Sequence, residues 1–150
     1  MIEIILKSML IIFGIIAVVI DIKSRKIPNL LILLMLCGWA LINIIQIFIS
    51  IEVAVIFFSE SLLGFVVGGG VSLLVYVISK KGLGGGDVKF LAIAGLYLGI
   101  YGILPAMLIG SILAGLTGIG LILIKKIKKK DSIPLAPFLC IGIIATVVIL

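Results

Sequence analysis

The sequence predicts an all-α protein of one domain, residues 1–150, that crosses a membrane six times. Hydrophobic residues make up 64% of the chain and charged residues only 12%, a balance typical of membrane proteins. The apolar residues fall in runs of about 20, the length that a helix needs to cross the hydrocarbon core of a bilayer. The chain is therefore interpreted as a polytopic helical membrane protein.

The first three spans are separated by short polar segments. Residues 2–20 form the first span, which lacks a small-residue cleavage site and is expected to be retained rather than removed as a signal peptide. Residues 30–50 form the second span. The region after Ser50 is apolar but interrupted by acidic residues, so the third span is placed near 58–79.

Residues 88–124 are predicted to form a helical hairpin that turns near Tyr101–Gly102, followed by a last span at 134–150. One long helix would separate the flanking lysine clusters across the membrane, whereas a hairpin puts both on one side, as the positive-inside rule favours. That side is then cytoplasmic, and both termini are external. Eleven of the twelve basic residues lie on it: Lys23, Arg25, Lys26, Lys80, Lys81, Lys89, Lys125, Lys126, Lys128, Lys129 and Lys130.

Composition also limits the chemistry and the partners. The net charge of +6 follows from this orientation and from the anionic lipid of the inner leaflet, and no basic face or aromatic platform indicates nucleic-acid binding. The chain has no histidine, and its two cysteines, Cys37 and Cys140, stand singly in apolar runs. No metal or other cofactor is expected. Catalysis would have to use Asp, Glu, Lys, Tyr or Ser.

A glycine-rich segment, GLGGGD, ends at Asp87 and precedes the hairpin. If the return helix of the hairpin is full-length, the outgoing helix has only about 14 residues and spans roughly 21 Å of a ~30 Å core. The outgoing helix is therefore expected to begin below the cytoplasmic surface, with Asp87. Asp21, at the end of the first span, is expected at a similar depth. Ionisable groups at membrane depth are costly and usually mark a function.

Three interpretations of the two aspartates remain open. Each could form a structural ion pair, since Lys23 and Lys89 lie two residues away. They could instead form a carboxylate pair that shares a proton, with one acid activating water and the other protonating a leaving nitrogen. The glycines would then let an extended peptide approach the backbone. The third interpretation is not an enzyme: the chain could be a small cation- or proton-coupled transporter that uses the same two acids.

Three stretches of the sequence resemble the motifs of type IV prepilin peptidases. Residues 21–29 read DIKSRKIPN, like the first motif of that family, and residues 84–89 read GGGDVK, like its G-x-G-D-x-K motif. Residues 133–138 read IPLAPF, with Leu135-Ala136 where the family usually has Phe-Gly. A presenilin-like protease shares G-x-G-D, but Ile20 precedes Asp21 and no Pro-Ala-Leu occurs, so that family is disfavoured.

The resemblance implies a membrane aspartyl endopeptidase that removes the short basic leader of type IV pilin-like precursors at the cytoplasmic membrane face. It implies that Asp21 and Asp87 are catalytic. Lys89 is interpreted either as an interfacial anchor or as a neighbour that tunes the two acids. The substrate-binding or supporting residues implied by the motifs are Gly84, Gly85, Gly86, Lys89, Pro28, Asn29, Pro134 and Pro137.

Many members of that family carry an added N-terminal cytoplasmic region, often with paired Cys-x-x-Cys motifs that are linked to N-methylation of the trimmed pilin. This sequence has no Cys-x-x-Cys and no region before its first span. It therefore resembles a short form of the family, and N-methyltransferase activity is not expected.

Overall fold

The computed structural model of the chain describes residues 2–79, 83–124 and 134–149, in which the regular structure is α-helical. The lysine clusters at 80–81 and 125–130, which the orientation prediction uses, lie outside these ranges. The helices are α1 (Ile2–Ser24), α2 (Asn29–Ile49), α3 (Ile51–Ile78), α4 (Gly85–Leu123) and α5 (Ala136–Ile149). The first four are long and apolar enough to cross a membrane, whereas α5 is shorter. The prediction of an all-α protein with membrane-spanning helices is confirmed.

Two helix boundaries differ from the predicted spans because charged residues do not end these helices. α1 continues to Ser24, so Asp21 lies inside its last turns rather than after them. α3 begins at Ile51, seven residues before the predicted start at 58, and Glu52 lies in its first turn. A carboxylate in the first turn of a helix is favoured by the helix dipole. The sequence interpretation was wrong in treating this acid as an interruption.

α4 reverses its direction at Gly99, where the backbone has φ 64° and ψ −176°. A Cβ at Gly68 of α3 would lie 2.5 Å from the carbonyl oxygen of Leu91 and 3.0 Å from Cγ1 of Ile103. In a straight helix, twelve residues are about 18 Å apart along the axis, so both can reach Gly68 only if the chain turns back. The hairpin was placed near Tyr101–Gly102, and the structure places its turn at Gly99, where a positive φ requires glycine.

The first segment of α4, residues 85–98, is the centre of the molecule. α4 packs against each of the other four helices, and its residues 90–97 are all buried. A helix that is buried on every side is surrounded by protein rather than lipid. Small residues allow the closest approach, because a side chain at Gly64 of α3 would collide with the carbonyl oxygen of Gly95. The start of α4 is thereby fixed against α3.

Candidate active site

Asp21 and Asp87 line one cavity of about 370 Å³. Asp21 lies near the end of α1 and Asp87 in the first turn of α4, and their side chains are only 5% and 9% exposed. The structure therefore brings together two carboxylates that are far apart in the sequence. Burying a carboxylate is costly unless it is paired or hydrogen-bonded, so the contacts of each aspartate are described in turn.

The position of Asp87 depends on the turn that begins α4. Gly84 precedes the helix with extended backbone, and its carbonyl oxygen accepts a hydrogen bond from the Asp87 N–H at 3.1 Å. The carboxylate folds back over the same glycine, since a Cβ at Gly84 would lie 2.8 Å from Asp87 Oδ2. Oδ1 of Asp87 is buried without a hydrogen-bond partner among the described residues. One oxygen of this acid is therefore a buried acceptor that no described group satisfies.

Asp21 is held between the end of α1 and the beginning of α5. Its Oδ2 accepts a hydrogen bond from the backbone N–H of Ala136, the first residue of α5, at 3.3 Å. Its own carbonyl oxygen accepts a hydrogen bond from the N–H of Arg25 at 2.8 Å. A helix N-terminus favours negative charge, so α5 stabilises the Asp21 carboxylate where it stands.

The three glycines before Asp87 have different surroundings. A Cβ at Gly86 would lie 3.1 Å from Cβ of Ile27 and 3.2 Å from its backbone nitrogen, so Gly86 permits the 84–87 turn to pack on the segment after α1. Gly84 accommodates the carboxylate of Asp87. Gly85 has open space, with no atom within 4 Å of an added Cβ. The sequence analysis expected an extended peptide to approach the backbone at all three glycines. Of the three, Gly85 alone has open space for such an approach.

Lys89 contacts α2 rather than either aspartate. Its Nζ donates a hydrogen bond to Oδ1 of Asn29, the first residue of α2, at 3.0 Å. Across residues 2–79, 83–124 and 134–149, no ion pair joins Asp21 or Asp87 to a basic side chain. The contacts thus differ from the ion pairs with Lys23 and Lys89 that the sequence left open.

The three prolines that were predicted to bind substrate or support the site lie at the starts of α2 and α5. Among the described residues, they do not line the cavity. Pro28 has extended backbone, with φ −69° and ψ 140°, and precedes α2. Pro134 precedes α5, and Pro137 lies in its first turn, where a missing N–H costs nothing.

Sequence reasoning missed two features of this site. Arg25 and Lys26 line the cavity together with Ile27, although their charges had been used only to orient the chain. Their place inside the 21–29 motif was the available signal. The N–H of Ala136 had no signal in the sequence, because every residue type except proline carries the same backbone donor. Within the described ranges, no group of three or more His, Cys, Asp or Glu residues could hold a metal ion.

These features define a class: a helical membrane protein in which two buried aspartates from different helices line one small cavity. Comparison with known proteins agrees with this class. Residues 8–119 match the model of the type IV leader peptidase family, and the chain belongs to that family. No solved structure matches the chain significantly.

Curated relatives of the chain are prepilin leader peptidase/N-methyltransferases. The prepilin leader peptidase/N-methyltransferase of Aeromonas hydrophila is 32% identical over 124 residues, which cover 82% of this chain and 42% of the relative. That of Aeromonas salmonicida is 31% identical over the same length. That of Xanthomonas campestris pv. campestris is 36% identical over 70 residues, 47% of this chain and 24% of the relative. The chain thus spans less than half the length of the curated relatives it matches.

Proposed function

We propose that this chain is a membrane aspartyl endopeptidase that removes the basic leader of type IV pilin-like precursors. The observation that carries the proposal is the pair of buried acids, Asp21 and Asp87, on one cavity. Membership of the type IV leader peptidase family and the names of the relatives supply the class of substrate. The proposal is limited to peptide cleavage and includes no methyl transfer.

The chemistry follows from two carboxylates that cannot both ionise at low cost, so that together they hold one proton. The ionised member takes a proton from water, whose oxygen attacks the scissile carbonyl. The protonated member polarises that carbonyl and then protonates the leaving nitrogen. Asp87 Oδ1 is buried and has no partner among the described residues, so it keeps an unused acceptor for water or substrate once the cavity admits them. The proton belongs to the pair, so neither acid receives a fixed role.

The beginning of α4 offers donors for the negative charge that develops on the attacked carbonyl oxygen. The first N–H groups of an α-helix have no partner within it, and those of Gly85 and Gly86 begin α4 beside Asp87. Backbone donors that are already in place stabilise an oxyanion without reorganisation. The open space at Gly85 allows a substrate backbone to come within reach of them.

The proposed membrane arrangement counts the two segments of α4 as separate spans, which gives six with α5. The segment 85–98 extends only about 21 Å, so in a ~30 Å core it begins below one surface. Asp87 then lies below the surface rather than on it. The positive-inside rule makes that surface cytoplasmic, with anionic lipid around it and both ends of the chain on the opposite side.

The test is cleavage of a prepilin-like precursor by the protein in membranes, read by gel shift. Asp21→Asn and Asp87→Asn each preserve size and one acceptor oxygen but remove the ability to exchange a proton, so each abolishes cleavage while the protein still inserts and folds. Glu52→Gln makes the same chemical change at an exposed acid of α3 and leaves cleavage intact. Near-normal cleavage by either aspartate variant would disprove the assignment.

A further inference from the structure

The end of the molecule opposite the two aspartates contains two small cavities that share part of their walls. They measure about 150 and 170 Å³, and Glu3, Phe57 and Glu60 line both. Glu3 lies in the first turn of α1, eighteen residues and about 27 Å along this helix from Asp21. Glu60 lies beside the reversal of α4, since a Cβ at Gly99 would be 3.9 Å from its Cβ. Two carboxylates from different helices therefore line the same cavities at this end as well.

Two buried polar side chains without partners line these cavities together with the glutamates. Gln46 of α2 lines the cavity of 170 Å³, and Thr146 of α5 lines the cavity of 150 Å³. Their side chains are 5% and 1% exposed, and among the described residues neither Oε1 of Gln46 nor Oγ1 of Thr146 has a hydrogen-bond partner. A buried polar atom without a partner costs free energy, so both point to a ligand that the described chain does not supply.

The ligand atoms that these four side chains offer are all oxygens: two carboxylates, one amide carbonyl and one hydroxyl. Hard cations prefer oxygen ligands, and Ca²⁺ accepts six to eight of them in irregular geometry, water included. Mg²⁺ requires a near-ideal octahedron, which is harder to build from groups on four separate helices. Such a site holds two acids and neutral oxygens. It therefore differs from clusters of three or more His, Cys, Asp or Glu residues, of which the described ranges contain none.

Lys7 is a cation that the chain itself places at this end. It lines the cavity of 150 Å³ with Glu3 and Glu60, so an ion pair with either acid is the structural alternative to a bound metal ion. Within residues 2–79, 83–124 and 134–149, no ion pair joins Lys7 to either glutamate. Lys7 and the two glutamates are the charged side chains that line the two cavities, and together they carry one net negative charge. The cavities therefore still attract a cation.

We propose that Glu3, Glu60, Gln46 and Thr146 form a binding site for Ca²⁺ at the end of the molecule opposite the two aspartates. The ion is bound between the glutamates and by Oε1 of Gln46, whose last side-chain torsion turns easily. Thr146 contacts it directly or through one of the bound waters. The ion joins α1, α2, α3 and α5 beside the turn at Gly99, so its binding stabilises the folded protein.

The affinity expected of this site is low. In the proposed membrane orientation it lies on the non-cytoplasmic side, where Ca²⁺ sites commonly have Kd values of about 0.1–1 mM. The test is thermal unfolding of the full chain in nanodiscs of zwitterionic lipid, after a chelator has removed bound metal. Ca²⁺ at about ten times its Kd is expected to raise the unfolding midpoint by about 3–6 °C. Mg²⁺ at the same concentration is expected to raise it less.

Equilibrium dialysis with radioactive Ca²⁺ measures the Kd and locates the ion through variants. Glu3→Gln and Glu60→Gln each remove one negative ligand and are expected to raise the Kd about tenfold. Glu52→Gln is the matched control, because Glu52 is an acid of α3 that lines neither cavity, and it leaves the Kd unchanged. Lys7→Met removes a repelling charge and is expected to lower the Kd about threefold.

Gln46→Met and Thr146→Val separate a ligand role from a structural role. Each variant removes one oxygen while it keeps the size and burial of the side chain. Since these oxygens have no partner among the described residues, both variants are expected to be at least as stable as the wild type in chelator. The proposed site predicts in addition that the midpoint shift produced by Ca²⁺ is smaller in both. A Ca²⁺ shift equal to that of the wild type in both variants contradicts the ligand set.

The remaining outcomes are equally decisive. Wild-type protein that neither binds radioactive Ca²⁺ nor gains stability from it overturns the site. A Kd that is unchanged in Glu3→Gln and Glu60→Gln places the ion elsewhere and also overturns it. Equal stabilisation by Mg²⁺ and Ca²⁺ indicates general screening of charge and overturns it as well. None of these measurements uses a substrate, so their failure leaves the proposed peptidase intact, and a chain that binds Ca²⁺ but cleaves no precursor contradicts the peptidase alone.

Discussion

The backbone N–H of Ala136 donates a hydrogen bond to Oδ2 of Asp21 at 3.3 Å, across 115 positions of sequence. Ala136 is the first residue of α5, so the N-terminus of this short helix is directed at one of the two candidate catalytic acids. Ala136, in the third motif of the sequence, therefore has a physical role that does not depend on its side chain. It supplies a donor that fixes the orientation of Asp21.

Replacing Ala136 by proline removes this donor and tests its role. The backbone at the first position of a helix tolerates proline, and because Ala136 is fully buried, thermal unfolding of the variant checks that α5 is retained. A hydrogen bond to a charged group contributes about 1.5–3 kcal/mol, and its loss is expected to lower kcat about 10–100-fold, with a smaller effect on KM. Ala136→Gly keeps the N–H and is the control. Equal turnover by the two variants would show that the donor is not used.

The two acids were predictable from sequence, whereas the exact turn of α4 and the backbone donor to Asp21 were not. Asp21 and Asp87 stand out because ionisable residues at membrane depth are rare and costly. The hairpin was predicted from the length of residues 88–124 and from the lysine clusters that flank them, and its turn was misplaced because glycine occurs at both 99 and 102. Which of them adopts a positive φ is decided by the packing of α4 on α3. The Ala136 donor had no signal, since it belongs to the backbone.

Alanine substitutions at the glycines before Asp87 are expected to differ in effect. At Gly86 an added methyl meets Ile27 at 3.1–3.2 Å, including backbone that cannot rotate away, so Gly86→Ala displaces the turn that carries Asp87. At Gly85 the space is open, and Gly85→Ala keeps its helical position. Misplacing a catalytic group by about 1 Å costs on the order of 100-fold in rate. Cleavage rates at saturating substrate therefore fall strongly for Gly86→Ala and little for Gly85→Ala.

Comparing kcat and KM for Gly85→Ala and Gly86→Ala shows how each glycine contributes to cleavage. A substrate strand lying directly against Gly85 adds a separate effect, because the added methyl of Gly85→Ala then obstructs the substrate and raises KM without lowering kcat. Measuring KM and kcat separately for both variants distinguishes a displaced Asp87 from an obstructed approach. Thermal unfolding of each variant in detergent provides the control for folding.

The contact between Lys89 and Asn29 is expected to couple α4 to the beginning of α2. Lys89→Met keeps most of the stem but removes the donor, and Asn29→Ala removes the acceptor. Both residues are exposed, so their coupling in a double-mutant cycle is modest, about 0.5–1 kcal/mol in the free energy of unfolding. Lys23→Met is the matched control and shows no coupling to Asn29→Ala. Additive effects of Lys89→Met and Asn29→Ala would mean that the contact is not maintained in the membrane.

Because α4 reverses at Gly99, alanine substitutions at Gly99 and Gly115 are expected to change the free energy of unfolding in opposite directions. Gly99 has φ 64° and ψ −176°, a conformation that is essentially restricted to glycine, while a Cβ there would meet atoms only at 3.8 Å or beyond. Gly99→Ala is thus penalised by backbone strain rather than by a clash, and is expected to destabilise the protein by about 1–3 kcal/mol.

Gly115 lies in the second segment of α4 with open space around it. Gly115→Ala is expected to stabilise the helix by roughly 0.5–1 kcal/mol. Unfolding midpoints that shift in opposite directions support the hairpin, whereas stabilisation by both variants would indicate that α4 continues straight through residue 99.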